Sequence, residues 1–298
     1  MLSLSPLAPD PHAAEPRLRL AEGVDLLPGG FAPGAQPDGN TEIFDASTGL
    51  VVVDTGRHRA HAQRILDHVS GNVAVREAWP EAEVHVSDAI VAALDGFLAG
   101  YRVRLLGGIA KTADAAQAEH WREEVACIDA GPRLRPTVPV TFSGPRRIAG
   151  RSFRLGLTEA ATPRGDVWLH DPETRALVAG DLVTLPAPLL DTACPARWRD
   201  ALEELAAVDF AVLVPGHGVP MDRKGFNVYR RAFNNLLVRA AAPTRTRTCV
   251  AGWRRDAGAL LTNADRETVD SMIACYVDAR LRGPRAIADC GASTDAAP

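Results

Sequence analysis

The chain has 298 residues, 46% hydrophobic and 23% charged, with a formal net charge of -4. That suits one large core with an appendage, and a pI near 6.1 leaves no basic footprint for nucleic acid or an anionic membrane surface. No apolar run approaches the roughly 20 residues needed to span a bilayer, so neither nucleic acid nor membrane is expected as a partner.

The opening stretch "MLSLSPLAPDPHAAEP" has no charged n-region and no continuous apolar h-region. The expectation is a cytoplasmic chain, with a periplasmic or secreted one as the alternative if the true N-terminus is longer. The five cysteines, Cys127, Cys194, Cys249, Cys275 and Cys290, form no CxxC pair, which argues against a thiolate zinc cluster. A disulfide among the three that follow Pro215 would count for export.

Residues 1–39 are rich in Pro, Gly and Ala and carry one apolar pulse, "EGVDLLPGG", which predicts an irregular arm feeding a first hairpin. Over 40–224, β-rich runs such as "LVVVDTG", "AEVHVSD", "VPVTFSG", "SFRLGLTE", "DVWLHDP", "RALVAGD" and "FAVLVPGHG" alternate with helical patterns such as "HRAHAQRILDHV", "AAQAEHWREEVACI" and "PARWRDALEELAAV". Interleaving of this kind predicts a layered α/β domain. Residues 225–298 read as a helical extension, "GFNVYRRAFNNLLVRAAA" and then "NADRETVDSMIACYVDARLRG", with Asn263 as an N-cap.

Several β runs end in metal-binding residue types. "VVVDTG" delivers Asp54, "RALVAGD" delivers Asp181, and "FAVLVPGHG" delivers His217. Strand ends carry the loops that build sites, and an adjacent Gly lets the backbone turn away while the side chain projects. Singly, each has an ordinary explanation as a turn former, a helix cap or a satisfied polar group. Together with Asp67 and His68 of "LDHVSGN", the order DTG, DH, AGD, PGHG is far more specific.

That order resembles the metallo-β-lactamase superfamily over about Leu20 to Asp222. The resemblance implies an αββα sandwich of two mixed sheets with a metal site at one edge, here followed by the helical C-terminal extension. The family site combines a His-x-His-x-Asp-His loop, a later His before Thr-Pro-Gly, an Asp in a Gly-Asp pair and a final His in a Pro-Gly-His turn. Asp67 and His68 match the end of the loop, Asp181 the bridging Asp and His217 the final His; Asp54 matches a position that is usually structural.

Two departures accompany the match. Arg64, Ile65 and Leu66 stand where the family places a strand and the His-x-His, and Ala161 precedes Thr162 and Pro163 where the later His belongs. His58 and His61, spaced as "HRAH", suit a helix face and are not expected to substitute. The ligands of one metal are thus missing, and Asp67, His68, Asp181 and His217 remain for the other. Two carboxylates and two imidazoles suit one Zn2+, with Mn2+ or Fe2+ as alternatives.

The implied function is a metal-dependent hydrolase that directs water at an ester, lactone, thioester or amide of a small-molecule substrate, with Asp67 and Asp181 as its catalytic carboxylates. The alternative is a catalytically inactive family member serving as a binding or scaffold protein. A diiron redox protein would need both metal sets. The shortened segment also removes a central strand, and the sheet is expected to re-pair through "HVSDAI" or through a shift of the N-terminal run. "LPAPLLDTACP", Leu185 to Pro195, is expected to shape the pocket, with Cys194 structural rather than reactive. Trp79, Trp168 and Trp198 are expected in the core or a cleft wall. Oligomeric state stays open.

Overall fold

A computed structural model describes residues 17–30, 38–54, 61, 64, 81–87, 96–130, 137–160, 165–263 and 265–283. Four short strands, β1 (Leu18–Ala21), β2 (Val24–Leu27), β3 (Thr41–Ala46) and β4 (Gly49–Val53), form an antiparallel sheet in chain order. Alternation along β2 and β3 explains the sheet's two buried faces. Val24 and Phe44 point inward to the second sheet, while Leu27 and Ile43 point outward. Residues 61 and 64 are helical, and they dock on this first sheet: His61 Nε2 lies 2.9 Å from Thr41 Oγ1, and Arg64 donates to the Pro28 carbonyl.

The second sheet has the order β11-β10-β9-β8-β7, built from β7 (Gly144–Ile148), β8 (Arg151–Thr158), β9 (Asp166–Asp171), β10 (Ala176–Thr184) and β11 (Val212–His217). It is mixed. β10 and β11 are parallel and the other pairs antiparallel, because α1 (Pro195–Ala206) makes the long crossover that a parallel pair requires while tight turns join the rest. Phe153, Leu155, Leu169, Ala176 and Val178 face the first sheet and form the inter-sheet core with Val24, Phe44 and Val51. The opposite face carries Trp168, Leu177 and Ala179, packed with α1 and the helices that follow.

Those helices are α2 (Arg223–Ala241), α3 (Thr246–Asp256) and α4 (Asp265–Tyr276), closed by a π turn at Val277–Leu281. Their buried side chains, among them Tyr229, Phe233, Trp253, Val269 and Ile273, belong to the same core as β10, β11 and α1. The helical C-terminal part is therefore packed into the layer behind the second sheet. α3 is a helix between the two that the sequence pattern suggested. The cap expected of Asn263 falls to its neighbour: Thr262 Oγ1 accepts from the Asp265 N–H and Asp265 Oδ2 accepts from the Thr262 N–H, a reciprocal box that satisfies both donors.

A third, two-stranded parallel sheet joins β5 (His85–Ser87) to β6 (Val138–Val140). Two helices lie between them in sequence, Phe97–Ile109 and Ala115–Ala130, and pack together through Tyr101 on Glu124 and Arg102 on Asp129. The re-pairing expected of the shortened sheet is not seen among the described residues. The "HVS" run pairs with β6, the N-terminal hairpin adds beyond β2 on the far side of β3, and β4 pairs with β3 alone. Layers, mixed second sheet and helical tail together give the αββα arrangement.

Candidate metal centre at the ends of β10 and β11

Asp181 and His217 come from two neighbouring parallel strands, and local irregularity brings them together. The β10–β11 register slips between Val178 and Gly180 and again before Thr184, which lifts Asp181 out of the ladder. Its carboxylate then lies over Gly216, where a Cβ would stand 2.6 Å from Asp181 Oδ1. Only glycine leaves that space. Gly218, at φ +101, turns the chain directly after His217.

The result is His217 Nε2 at 3.5 Å from Asp181 Oδ1, with the imidazole mostly enclosed and the carboxylate about half open to solvent. His217 Nδ1 lies 3.1 Å from the Asp38 carbonyl oxygen. A carbonyl can only accept, so Nδ1 carries the hydrogen, and neutral His217 presents its Nε2 lone pair toward the carboxylate. Two electron-rich atoms facing each other need a cation between them. A proton on Nε2 would serve, and so would a metal: ligand atoms about 2.0–2.2 Å from one tetrahedral zinc sit roughly 3.4 Å apart. The donor types, their spacing and the backbone hydrogen bond that orients the imidazole all fit such an ion.

Asn40 holds this arrangement in place, and sequence reasoning did not find it. Its Nδ2 donates to the Pro215 and Gly218 carbonyls, 2.8 Å each, on either side of His217. Its backbone N–H donates to the Gly216 carbonyl, and its Oδ1 accepts from the Gly29 N–H. One buried amide thus ties the first sheet to the "PGHG" turn. The only signal in the sequence was an Asn after Gly at the start of a strand.

The remaining expected residues divide clearly. Asp67, His68 and His58 lie outside the described residues, as do Ala161 and Trp79. His61 is buried on Thr41, which commits its Nε2 to the first sheet. Asp54 follows β4 in the left-handed region at φ +59, and its carboxylate lies so near Gly39 that a Cβ there would be 2.4 Å from Oδ2. Trp168 and Trp198 are fully buried core residues, Trp198 donating to the Leu182 carbonyl. Among the described residues no group of three or more His, Cys, Asp or Glu side chains is placed to hold a metal.

The loop after β10 runs beside the pair. The Leu185 N–H donates to the His217 carbonyl, and Leu185, Ala187, Leu190 and Ala193 are all buried. Cys194, at the start of α1, is disulfide-bonded, which removes it from the reactive thiols; Cys249 and Cys275 are free. No helix among the described residues is long and apolar enough to cross a membrane.

Comparison with known proteins agrees with this architecture. A metallo-β-lactamase from Pontibacter korlensis is similar at a TM-score of 0.52 and 16% identity, covering 74% of this chain and 99% of its own. A metallo-β-lactamase family protein from Thermus thermophilus is similar at 0.50 and 17%, covering 87% and 95%. No curated protein matches. A family model described as the metallo-β-lactamase superfamily matches residues 66–217, opening on "LDHVSGN" and closing on His217. The chain belongs to the metallo-β-lactamase superfamily.

Proposed function

We propose that the chain is a metal-dependent hydrolase that uses one ion, held by Asp181 and His217 together with Asp67 and His68, to cleave an ester, lactone, thioester or amide in a small molecule. The observation that carries this reading is the 3.5 Å approach of His217 Nε2 to Asp181 Oδ1, with Nδ1 already committed to the Asp38 carbonyl. The opening of the family match at Leu66 supports a shortened motif and a single ion.

A bound Zn2+, Mn2+ or Fe2+ would supply Lewis acidity and lower the pKa of water toward neutrality. The chain's own residues supply position. His217 is kept in one tautomer by Asp38 and in one place by Asn40. Asp181, half open to solvent, can take a proton from an attacking water as a general base. The loop from Leu185 to Pro195 lies against His217, its Leu185 N–H donating to the His217 carbonyl.

A second reading, an inactive family member that binds a partner, draws on the absence of a three-ligand group among the described residues. Metal content separates the two. Elemental mass spectrometry of folded chain purified without added metal should find about one zinc, manganese or iron per chain. His217→Ala should lose that metal and His58→Ala should keep it. A folded chain that takes up none, even from excess zinc, would leave the binding reading in possession.

A further inference from the structure

The loop after β10 has no regular structure, yet most of it is buried; Asp191 is its exposed residue between Leu185 and Cys194. Buried backbone groups need partners, and the C-terminal helices supply them. Tyr229 Oη of α2 accepts from the Thr184 N–H at 3.3 Å, and Trp253 Nε1 of α3 donates to the Pro186 carbonyl at 2.9 Å. Arg280 Nε, in the π turn, donates to the Leu190 carbonyl at 2.8 Å. Tyr276, the last residue of α4, donates from Oη to Asp191 Oδ2 at 2.8 Å.

The last of these contacts differs from the others. Three of them serve the loop's backbone, whereas Tyr276 meets a side chain, at the point where the loop opens to water. Tyr276 and Arg280 stand four residues apart on one side of the chain, so they take hold of the neighbouring residues Asp191 and Leu190. At its other end the loop is tied to the site. The Leu185 N–H donates to the His217 carbonyl at 3.0 Å, and Leu185 lies so close to Gly218 that a Cβ there would be 2.7 Å from its own Cβ. A shift of the loop is thus passed to the His217 turn. Asp181 is near as well: burial first, then Asp191, with Cys275 and Asp181 adding less, raise the pKa of the Tyr276 phenol.

We infer that Tyr276 is a positioning residue for the candidate metal centre: through Asp191 it holds the loop against the His217 turn, which makes the C-terminal helices part of the site. The inference rests on the proposed metal-binding role of Asp181 and His217. Tyr276 sets where those ligands stand and takes no part in the chemistry itself.

Co2+ is the probe, because its visible absorption reports ligand geometry as well as affinity. The full chain is stripped with a chelator and titrated with Co2+. Tyr276→Phe keeps the ring and removes the hydroxyl, and Asp191→Asn weakens the same bond from the other side. Arg254→Met breaks an exposed ion pair of 3.2 Å between α3 and α4 and controls for looser helix packing. Tyr276→Phe and Asp191→Asn should each bind Co2+ about tenfold more weakly and with a shifted visible band, and the double variant should add nothing further. Hydrogen exchange over 185–194 should be about tenfold faster in the same variants. Arg254→Met should match the wild type in all three readouts. Wild-type affinity and band in Tyr276→Phe, or an equal change in Arg254→Met, would overturn the positioning role. A folded wild type that takes up no Co2+ overturns the metal reading instead, and exchange still decides whether Tyr276 holds the loop.

Discussion

Asp171 closes β9 in the five-stranded sheet and Glu42 sits in β3 of the four-stranded one; both are sealed from solvent, at 0% and 1% exposure, and their surroundings are opposite. Asp171 accepts from Arg151 Nη2 at 2.7 Å, from the Thr174 hydroxyl and from two backbone N–H groups of the following turn. Burial alone would raise its pKa, yet Arg151 and Thr174 together hold it below the usual carboxylate range. Glu42 has neither oxygen partnered among the described residues, and burial followed by the nearby Asp54 charge pushes its carboxyl well above that range. One sheet uses its buried acid as an anchor, whereas the other carries an acid whose surroundings favour the neutral form, two residues from Asn40, on the wall that supports His217.

The difference has a structural cause. Arg151 is a latch between the sheets: besides Asp171, its Nη1 donates to the Asp45 carbonyl at 2.6 Å, in β3, and reaches the Gly23 carbonyl in the β1–β2 turn. Removing it should therefore give the largest effect. Arg151→Met keeps bulk against Phe44 and Phe153 but strands a buried carboxylate, and should cost about 3–5 kcal/mol in urea unfolding at neutral pH. The sign with pH follows from the lowered folded pKa of Asp171. Its contribution is present above the unfolded value, about 3.9, and is lost as pH falls through the folded one. A variant whose acid limb matches the wild type would break the comparison.

Glu42→Met should act in the opposite direction. With no partner to lose among the described residues, it removes a buried polar group and should raise stability by about 1–3 kcal/mol at pH 8. Because the folded pKa of Glu42 is raised, the wild type is favoured below the unfolded value of about 4.3 and loses that stability as pH climbs toward the folded one. The gain in the variant should therefore grow with pH across that window. Thermal melts of both proteins between pH 4 and 9 would show it, and a destabilised Glu42→Met with a flat difference would mean that the carboxyl has a ligand of its own.

How far the sequence foretold this contrast depends on the range of the interactions. The β-rich runs "DVWLHDP" and "RALVAGD", with glycine beside Asp181 and His217, made the second sheet and its strand-end residues legible, because the signal is local. The Asn40 amide was not legible, since the carbonyl it serves belongs to Pro215, 175 residues later. Nor was the burial of Glu42, because a polar residue in a strand normally faces solvent, and only the folded structure seals it. α3 went unseen for a related reason: its polar face dominates "TRTCVAGWRRD", and Cys249, Gly252 and Trp253 form a narrow buried stripe. The DH segment fixed the family while the positions of its two side chains fall outside the described residues.

The smallest effect sharpens the comparison by holding the chemistry constant and changing only the solvent. Arg175 Nη2 and Asp209 Oδ1, in the connections leading into β10 and β11, form an ion pair at 2.6 Å, as short as the Arg151–Asp171 pair, but with half of the Arg175 side chain and most of the Asp209 side chain in water. Water and salt screen both charges, and fixing two mobile side chains costs entropy that offsets the attraction. Arg175→Met should therefore change stability by no more than about 1 kcal/mol, and the change should vanish in molar salt. Arg151→Met should keep most of its cost under the same salt, because its partner never meets the solvent. Equal salt sensitivity in the two variants would mean that Asp171 is reached by water, and that the latch between the sheets opens in solution.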